Sequence, residues 1–491
     1  MFLGIDLGTS SIKVVLMNDK KEITHKKSVA LSLSRLHPLW SEQDPEDWWL
    51  AFIKAWTLLK KDIGDDALNI KAIGLSGQQH GAVLLDKNGK VLRPAILWND
   101  GRSFAECQLL ETKVPDFERI TGNKIMPGFT APKLLWVYQN EPEIFAKIHK
   151  VLLPKDYLRY RLSGDFASDL SDSAGTCWLH TGRRRWSETM LKATHLDIDH
   201  MPKLYEGTEY TSVISAQIAK TLGLSIKVKI AAGAGDNAAS AVSMSVIKSG
   251  SAFLSLGTSG VYFVSSDNYR FNAEEGVHTF CHAVPDHWHH MAVHLSAASS
   301  LDWWGSVTET KVNDLVMKVS RKRRHDPGVF FLPYLSGERT PHNDPHARGV
   351  FAGMSHATSA TDMTQAVMEG VVFAFMSGQA AMQGAGIKIN EVSVVGGGAR
   401  YPYWGKLLSA ALRRPLIYRK NREVGGAYGA ALLAWIAEHG EAAIAQINEP
   451  PVDVIVTPDP RLEDYFASRF VIFNQIYQQL KPVFPLLTRQ E

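Results

Sequence analysis

Apolar positions dominate residues 2–17 except at one bend. They run up to Gly8, Thr9, Ser10 and Ser11, and Ile12, Val14 and Val15 follow. That pattern predicts a buried β-hairpin with a tight turn of small residues. It returns at residues 252–264, where Leu256, Gly257, Thr258 and Ser259 repeat Leu7, Gly8, Thr9 and Ser10 letter for letter. A repeat offset by about half the chain predicts two duplicated domains that each present a hairpin to a shared cleft.

Between the hairpins, Asp44 followed by Pro45 marks a helix start, and Trp48, Trp49, Phe52 and Trp56 fall on one apolar face that reads as core. Residues 70–77 read as a buried strand running into Gln78, Gln79, His80 and Gly81. A second strand, 94–98, runs into Asn99, Asp100, Gly101 and Arg102. Open α/β sheets carry ligand-binding side chains at such strand ends, although a plain turn with a satisfied histidine fits too. Helices are expected from Lys133 and from Pro154, and the small polar residues of 168–176 fit a cleft lining or a surface loop equally. The strand 228–232 leads through Gly233 and Gly235 to Asp236 and Asn237, then into Ala-rich helical sequence. Asp236 suits a helix N-cap, and it suits a general base at the crevice.

A boundary at 248–250 divides the chain into domains of residues 1–248 and 249–491. In the second, 330–341 runs from strand into polar loop, 361–382 reads as a long helix, and 392–400 reads as strand, glycine loop and helix. A terminal helix from Arg461 to about Leu486 is expected to pack on the second domain. The fold class is α/β.

The chain has 491 residues, which favours two large cores. A net charge of +3 and scattered histidines and tryptophans show neither a nucleic-acid footprint nor a polybasic membrane patch. The short basic run at 321–324 reads as a solvated connection. No window approaches the roughly 18 apolar residues of a membrane span, and Asp6 interrupts any amino-terminal apolar core. Cys107, Cys177 and Cys281 lack metal-ligand spacing and cannot all pair. They point to core residues in a reducing compartment, so a cytoplasmic protein is expected.

The candidate chemistry is phosphate chemistry. Gly8 permits close backbone approach, while Thr9, Ser10 and Ser11 offer uncharged donors to phosphoryl oxygens. Asp6 cannot touch phosphate directly, but it suits magnesium, which takes one or two carboxylates together with waters and substrate phosphates. The second hairpin has Ser255 in its place, so one copy would hold the metal and both the phosphates. Gly396, Gly397 and Gly398, with a second small-residue stretch at 423–431, suggest an adenosine pocket.

Two separated signatures then give a resemblance. Gly128, Thr130, Lys133, Leu134, Trp136 and Asn140 form the first; residues 349–354 with Asp362, Met363 and Glu369 form the second. In these the chain resembles the FGGY family of carbohydrate kinases, within the wider actin, hexokinase and Hsp70 ATPase superfamily. The resemblance implies two ribonuclease-H-like domains around a central cleft, with sugar mainly in the first, ATP mainly in the second, and closure on binding. Residues 37–44, 97–102, 153–157 and 335–342 resemble the members that convert D-xylulose to D-xylulose 5-phosphate. One departure is visible: those members usually carry methionine where this chain has Gln79. By position, the resemblance implies Asp236 as base, Asp6 for magnesium through water, and Gln79, His80, Trp98, Asp236 and Asn237 at the sugar. Thr9, Ser10, Lys13, Thr258, Gly397, Gly398 and Arg400 fall on the nucleotide side, and a homodimer is expected. The alternatives are a family member acting on ribulose, glycerol or gluconate, or a non-catalytic actin-like ATPase, which would not need Asp236.

Overall fold

Phe2–Leu7 is apolar on both faces, with Phe2, Leu3, Ile5 and Leu7 fully buried, so it takes a central place in a sheet. The computed structural model describes residues 1–322, 328–420 and 425–487. In it, Phe2–Leu7 pairs antiparallel with Ser11–Met17 and parallel with Ala72–Gly77. Ile23–Ala30 lies outside Ser11–Met17, while Lys229–Ala231 and then Tyr210–Val213 extend the far side. The second sheet repeats this order. Ser251–Leu256 pairs antiparallel with Gly260–Ser266 and parallel with Glu391–Val395; Trp288–His294 lies beyond the one and Leu416–Arg419 beyond the other. The duplicated hairpin of the sequence is thus the heart of each sheet, and the fold is a two-domain α/β architecture.

The helix signals take effect as read. Asp44 caps Pro45–Ile63 by accepting from the Glu46 amide at 2.9 Å, and the Trp48, Trp49, Phe52 and Trp56 face is buried. Ser359 and Asp362 form a capping box at the start of the long helix Ala360–Gly384. The terminal helix Pro460–Leu480 seats Phe466, Phe473 and Tyr477 in the core of the second half. Of the basic run, Lys322 is held by Asp362 and by Gln365 at 3.0 Å, while Arg323 and Arg324 lie outside the described residues. All three cysteines are buried and free. No helix among the described residues is long and apolar enough to cross a membrane.

Two expectations are corrected. Residues 168–176 are neither surface loop nor cleft lining. Ser168, Asp169, Ser171, Asp172, Ser173 and Thr176 are all buried, because Lys155 contacts Asp156 and Asp169 at 2.7 Å and Asp172 at 3.0 Å in a closed ionic cluster. Arg159 joins it through Asp156 at 2.6 Å. Buried charge is tolerated where it is paired in this way.

The second correction concerns the small residues near 425–431, whose first members, Glu423 and Val424, lie outside the described residues. Residues 425–431 do not line the cavity around Gly397 and Gly398. Helix Gly426–His439 leaves its own half and packs on the first sheet, sharing a core with Phe2, Ala72 and Ala231. Its counterpart Asp236–Ser243 reaches the other way, with Ala241 in one cluster with Phe253 and Phe263 of the second sheet.

The crossing depends on bare backbone. A Cβ added to Gly4 would lie 1.9 Å from the Ala427 carbonyl oxygen, and one on Gly74 would lie 1.8 Å from that of Ala430. We predict that Gly74→Ala destabilises the protein by about 3 kcal/mol, the upper range for forcing a methyl into a packed contact. Chemical denaturation measures this; an unchanged midpoint would mean that the helix does not rest on the sheet there.

Candidate active site

The sheet ends set the centre of the site. Asp6 and Ala234 both register with Ser76, so three neighbouring strands bring Asp6, Ser76 and the start of helix Asp236–Ser243 together. Ser76 Oγ donates to Asp6 Oδ1 at 3.0 Å. Asp236 is the first residue of its helix. The cap position is Gly235, so the capping role read for Asp236 is not the one it fills. Its Oδ1 instead accepts from the Asn237 amide at 2.7 Å and from Asn237 Nδ2 at 2.9 Å. Burial, and next the charge of Asp6, push the Asp236 carboxyl up to about 7, against the two bonds from Asn237. Burial also raises the Asp6 carboxyl, opposed by Ser76 and Lys13.

The flanking backbone is fixed from both halves. Gly235 N donates to Ser171 Oγ at 3.2 Å, and Ser171 Oγ donates to Asp169 Oδ2 at 2.5 Å, which ties the strand before Asp236 to the buried ionic cluster. From the other side, Gly426 opens the crossing helix against Asp6: a Cβ there would stand 2.5 Å from Asp6 Oδ1 and 2.6 Å from Ser76 Oγ.

His80 and Trp98 line one cavity of about 660 Å³, walled from the second half by Leu295, Glu338, Arg339 and Asn343. Gln79 does not line it. Its buried side chain lies against Gly235 and Gly175, where Cβ atoms would meet its Nε2 at 2.7 and 3.5 Å. Asn237 reaches Asp236 rather than the cavity. Thr9, placed by resemblance on the nucleotide side, turns its hydroxyl elsewhere: Oγ1 donates to Gln78 Oε1 and accepts from Trp98 Nε1, both at 2.9 Å. Ser10 and Lys13 are exposed on the first hairpin.

Thr258, Gly397, Gly398 and Arg400 come together around a second cavity of about 310 Å³, with Ala298, Asp302 and Trp404. The Thr258 carbonyl accepts from Ala297 N at 3.0 Å and from Ser299 Oγ at 2.7 Å, which seats the hairpin on helix Ala298–Val307. Gly396 has φ +93° and would collide with Leu256, whereas Gly397 faces open space. The first glycine therefore serves the turn and the second leaves room. A larger cavity, about 1300 Å³, contains none of these residues.

Sequence reasoning missed Gln43, whose amide reaches the Thr9 carbonyl at 2.7 Å and whose Oε1 takes Gln78 Nε2 and Trp48 Nε1, both at 3.0 Å. It also missed Arg339 and Asn343, although the polar loop that carries them stood out after the 330–332 strand.

Profiles of the family's N-terminal and C-terminal domains match residues 1–243 and 252–438. The chain belongs to the FGGY family of carbohydrate kinases. It is 48% identical to the xylulose kinase of Escherichia coli K12 over 98% of this chain and 100% of that protein, and 46% identical to that of Klebsiella pneumoniae over the same shares. Among solved structures, one described as a xyloylose kinase from Brucella ovis is 45% identical, with a TM-score of 0.95 over 98% of this chain and 99% of that one. Glycerol kinase from Plasmodium falciparum, 20% identical at a TM-score of 0.88 over 97% of each chain, shares the fold.

The open space at Gly397 gives a test that separates function from stability. Gly397→Ala should keep the parent melting midpoint, since nothing lies within 4 Å of the added carbon. It should raise KM for ATP several-fold while leaving KM for the sugar within about twofold. A KM for ATP equal to the parent's would remove this cavity as the nucleotide site.

Proposed function

We propose that the protein transfers the γ-phosphoryl group of ATP to a hydroxyl of D-xylulose, with Asp236 as general base. The observation that carries the reading is the placement of the Asp236 carboxyl, at strand ends that also bring Asp6 and Ser76 together, where burial and then the charge of Asp6 push it up to about 7. A base poised near neutrality accepts a proton readily at working pH, and such assistance contributes typically 10²–10⁴ in rate. The identity to curated xylulose kinases over nearly the whole chain supports the choice of sugar.

In the reaction a bond forms from the sugar oxygen to the γ-phosphorus and the bond from that phosphorus to the bridging oxygen of ADP breaks. The hydroxyl proton passes to Asp236 and then to solvent. Asn237 orients the receiving carboxylate through its two bonds. His80, Trp98 and Gln79 shape the sugar side, Gln79 by filling the space beside Gly235. Thr258, Gly397, Gly398 and Arg400 would surround the nucleotide, and the backbone amides of the two hairpin turns, with the Ser10 hydroxyl, would serve its phosphates, the Thr9 hydroxyl being held by Gln78 and Trp98.

Magnesium fits the donors present. Asp6 offers a carboxylate at the strand end, and no three His, Cys, Asp or Glu side chains gather to hold a metal alone among the described residues. That set suits an ion which keeps waters and phosphate oxygens as ligands. Bound there, magnesium would supply charge neutralisation to the transferring phosphoryl group. With walls from both halves, the sugar cavity would narrow as the halves close, which excludes water. A homodimer in the cytoplasm is part of this reading through relatedness.

ADP release measured across D-xylulose, D-ribulose, L-ribulose, glycerol and gluconate tests the substrate: D-xylulose should have the highest kcat/KM. Faster turnover of glycerol or gluconate would overturn it. Asp236→Asn should lower kcat at least 100-fold with sugar binding retained, and parental kcat/KM should fall about tenfold per pH unit below 7. The same variant should be more stable than the parent at pH 8. Asp236 ionises less readily folded than unfolded, so its contribution is full at low pH and lost as pH rises through about 7. The stability gap should close as pH falls below 7. A variant with near-parental turnover would leave Asp236 a structural residue.

A further inference from the structure

His80 stands in the left-handed region, at φ +68°, a conformation that side chains with a Cβ seldom hold without support. Its carbonyl oxygen is gripped by two side chains of helix Thr130–Asn140: Thr130 Oγ1 donates at 3.1 Å and Lys133 Nζ at 2.9 Å. Positions three apart lie on one helical face, so a single oxygen can take both donors. We propose that Thr130 and Lys133 are positioning residues for sugar binding, which clamp the His80 backbone so that its imidazole stays at the wall of the cavity shared with Trp98.

Packing alone does not account for Lys133. The side chain is fully buried, and among the described residues its ammonium makes one hydrogen bond, to the His80 carbonyl. Leucine or methionine would fill the same space without taking a charge out of water. Burial holds the lysine well below its ordinary range, with nearby Asp100 favouring the charged form and Arg102 opposing it.

The imidazole itself is held at a third point. His80 Nδ1 lies 2.7 Å from the Gly175 carbonyl, which only accepts, so Nδ1 carries the proton and Nε2 is left as an acceptor for a hydroxyl. Phe129, at the cap of the same helix, packs edge-on against the ring at 4.7 Å between centroids. One residue earlier, a Cβ on Gly128 would meet the Trp98 carbonyl at 2.3 Å, so the 128–133 stretch abuts both residues of the sugar wall. A role for this stretch through His80 rests on the reading of His80 as a sugar contact.

The test uses the full chain with D-xylulose and ATP, reading KM for each, kcat and the melting midpoint for Lys133→Met, Thr130→Val, Thr130→Ser and His80→Ala. Lys133→Met should raise KM for D-xylulose at least tenfold and Thr130→Val about threefold, both with KM for ATP within twofold. Thr130→Ser, which keeps the hydroxyl, should match the parent. In the His80→Ala background, Lys133→Met should add less than twofold, because the group it positions is gone. If Lys133→Met does not fold, the Thr130→Val and Thr130→Ser pair decides. Should His80→Ala leave KM for D-xylulose unchanged, the sugar-contact reading fails and this inference with it. Should His80→Ala raise KM while folded Lys133→Met and Thr130→Val do not, the positioning role alone is overturned; full additivity in the double variant would do the same.

Discussion

Backbone lies directly on backbone where the two halves meet. Gly4 and Gly74 are register partners on adjacent strands, and together they leave the first sheet bare of side chains where the carbonyls of Ala427 and Ala430 come down on it. Between those two alanines, Gly429 meets the Ala239 carbonyl of the opposite crossing helix just as closely, at 1.8 Å for an added Cβ. Side chains at these positions would have to push the backbones apart to reach ordinary van der Waals contact. The contact places Gly426 on Asp6 and keeps His80 and Trp98 of one half opposite Arg339 and Asn343 of the other.

The chemistry at that junction follows from crowding two carboxylates on neighbouring strand ends. Burial first, and then the charge of Asp6, raises the Asp236 carboxyl to about 7, and burial also raises that of Asp6, so both hold a proton more tightly than an ordinary carboxylate. The protein holds this unfavourable arrangement in place with favourable ones nearby. The Lys155 cluster fixes the approach to Gly235, and the hydrogen bonds linking Gln43, Gln78, Thr9 and Trp98 fix the turn beyond Asp6.

Much of this was legible in the sequence wherever one local cause sufficed. The repeated Leu-Gly-Thr-Ser turn marked both central hairpins, Asp44 with Pro45 marked a helix start, and the polar strand ends drew attention to His80, which lines a cavity, and to Asp236, which lies near Asp6. What was not legible depended on partners distant in the chain. Ser168 to Thr176 has the composition of a surface loop, and only the arrival of Lys155 and Arg159 makes it core. The Gly- and Ala-rich start of helix Gly426–His439 suits a ligand loop as well as a close helix contact, and residues on another sheet decide between them. Thr9 has the look of a phosphate donor, yet Gln78 and Trp98 occupy its hydroxyl.

The reciprocal crossing also bears on how the chain is made. The first sheet, complete once Ala234 and Gly235 have been added, keeps an uncovered apolar face until Gly426–His439 has been synthesised. At the usual pace of 5–20 residues per second that wait is on the order of ten seconds or more. For that interval the ribosome carries a half-protein whose best apolar surface has no partner yet, a state in which chaperones would compete with aggregation for the nascent chain.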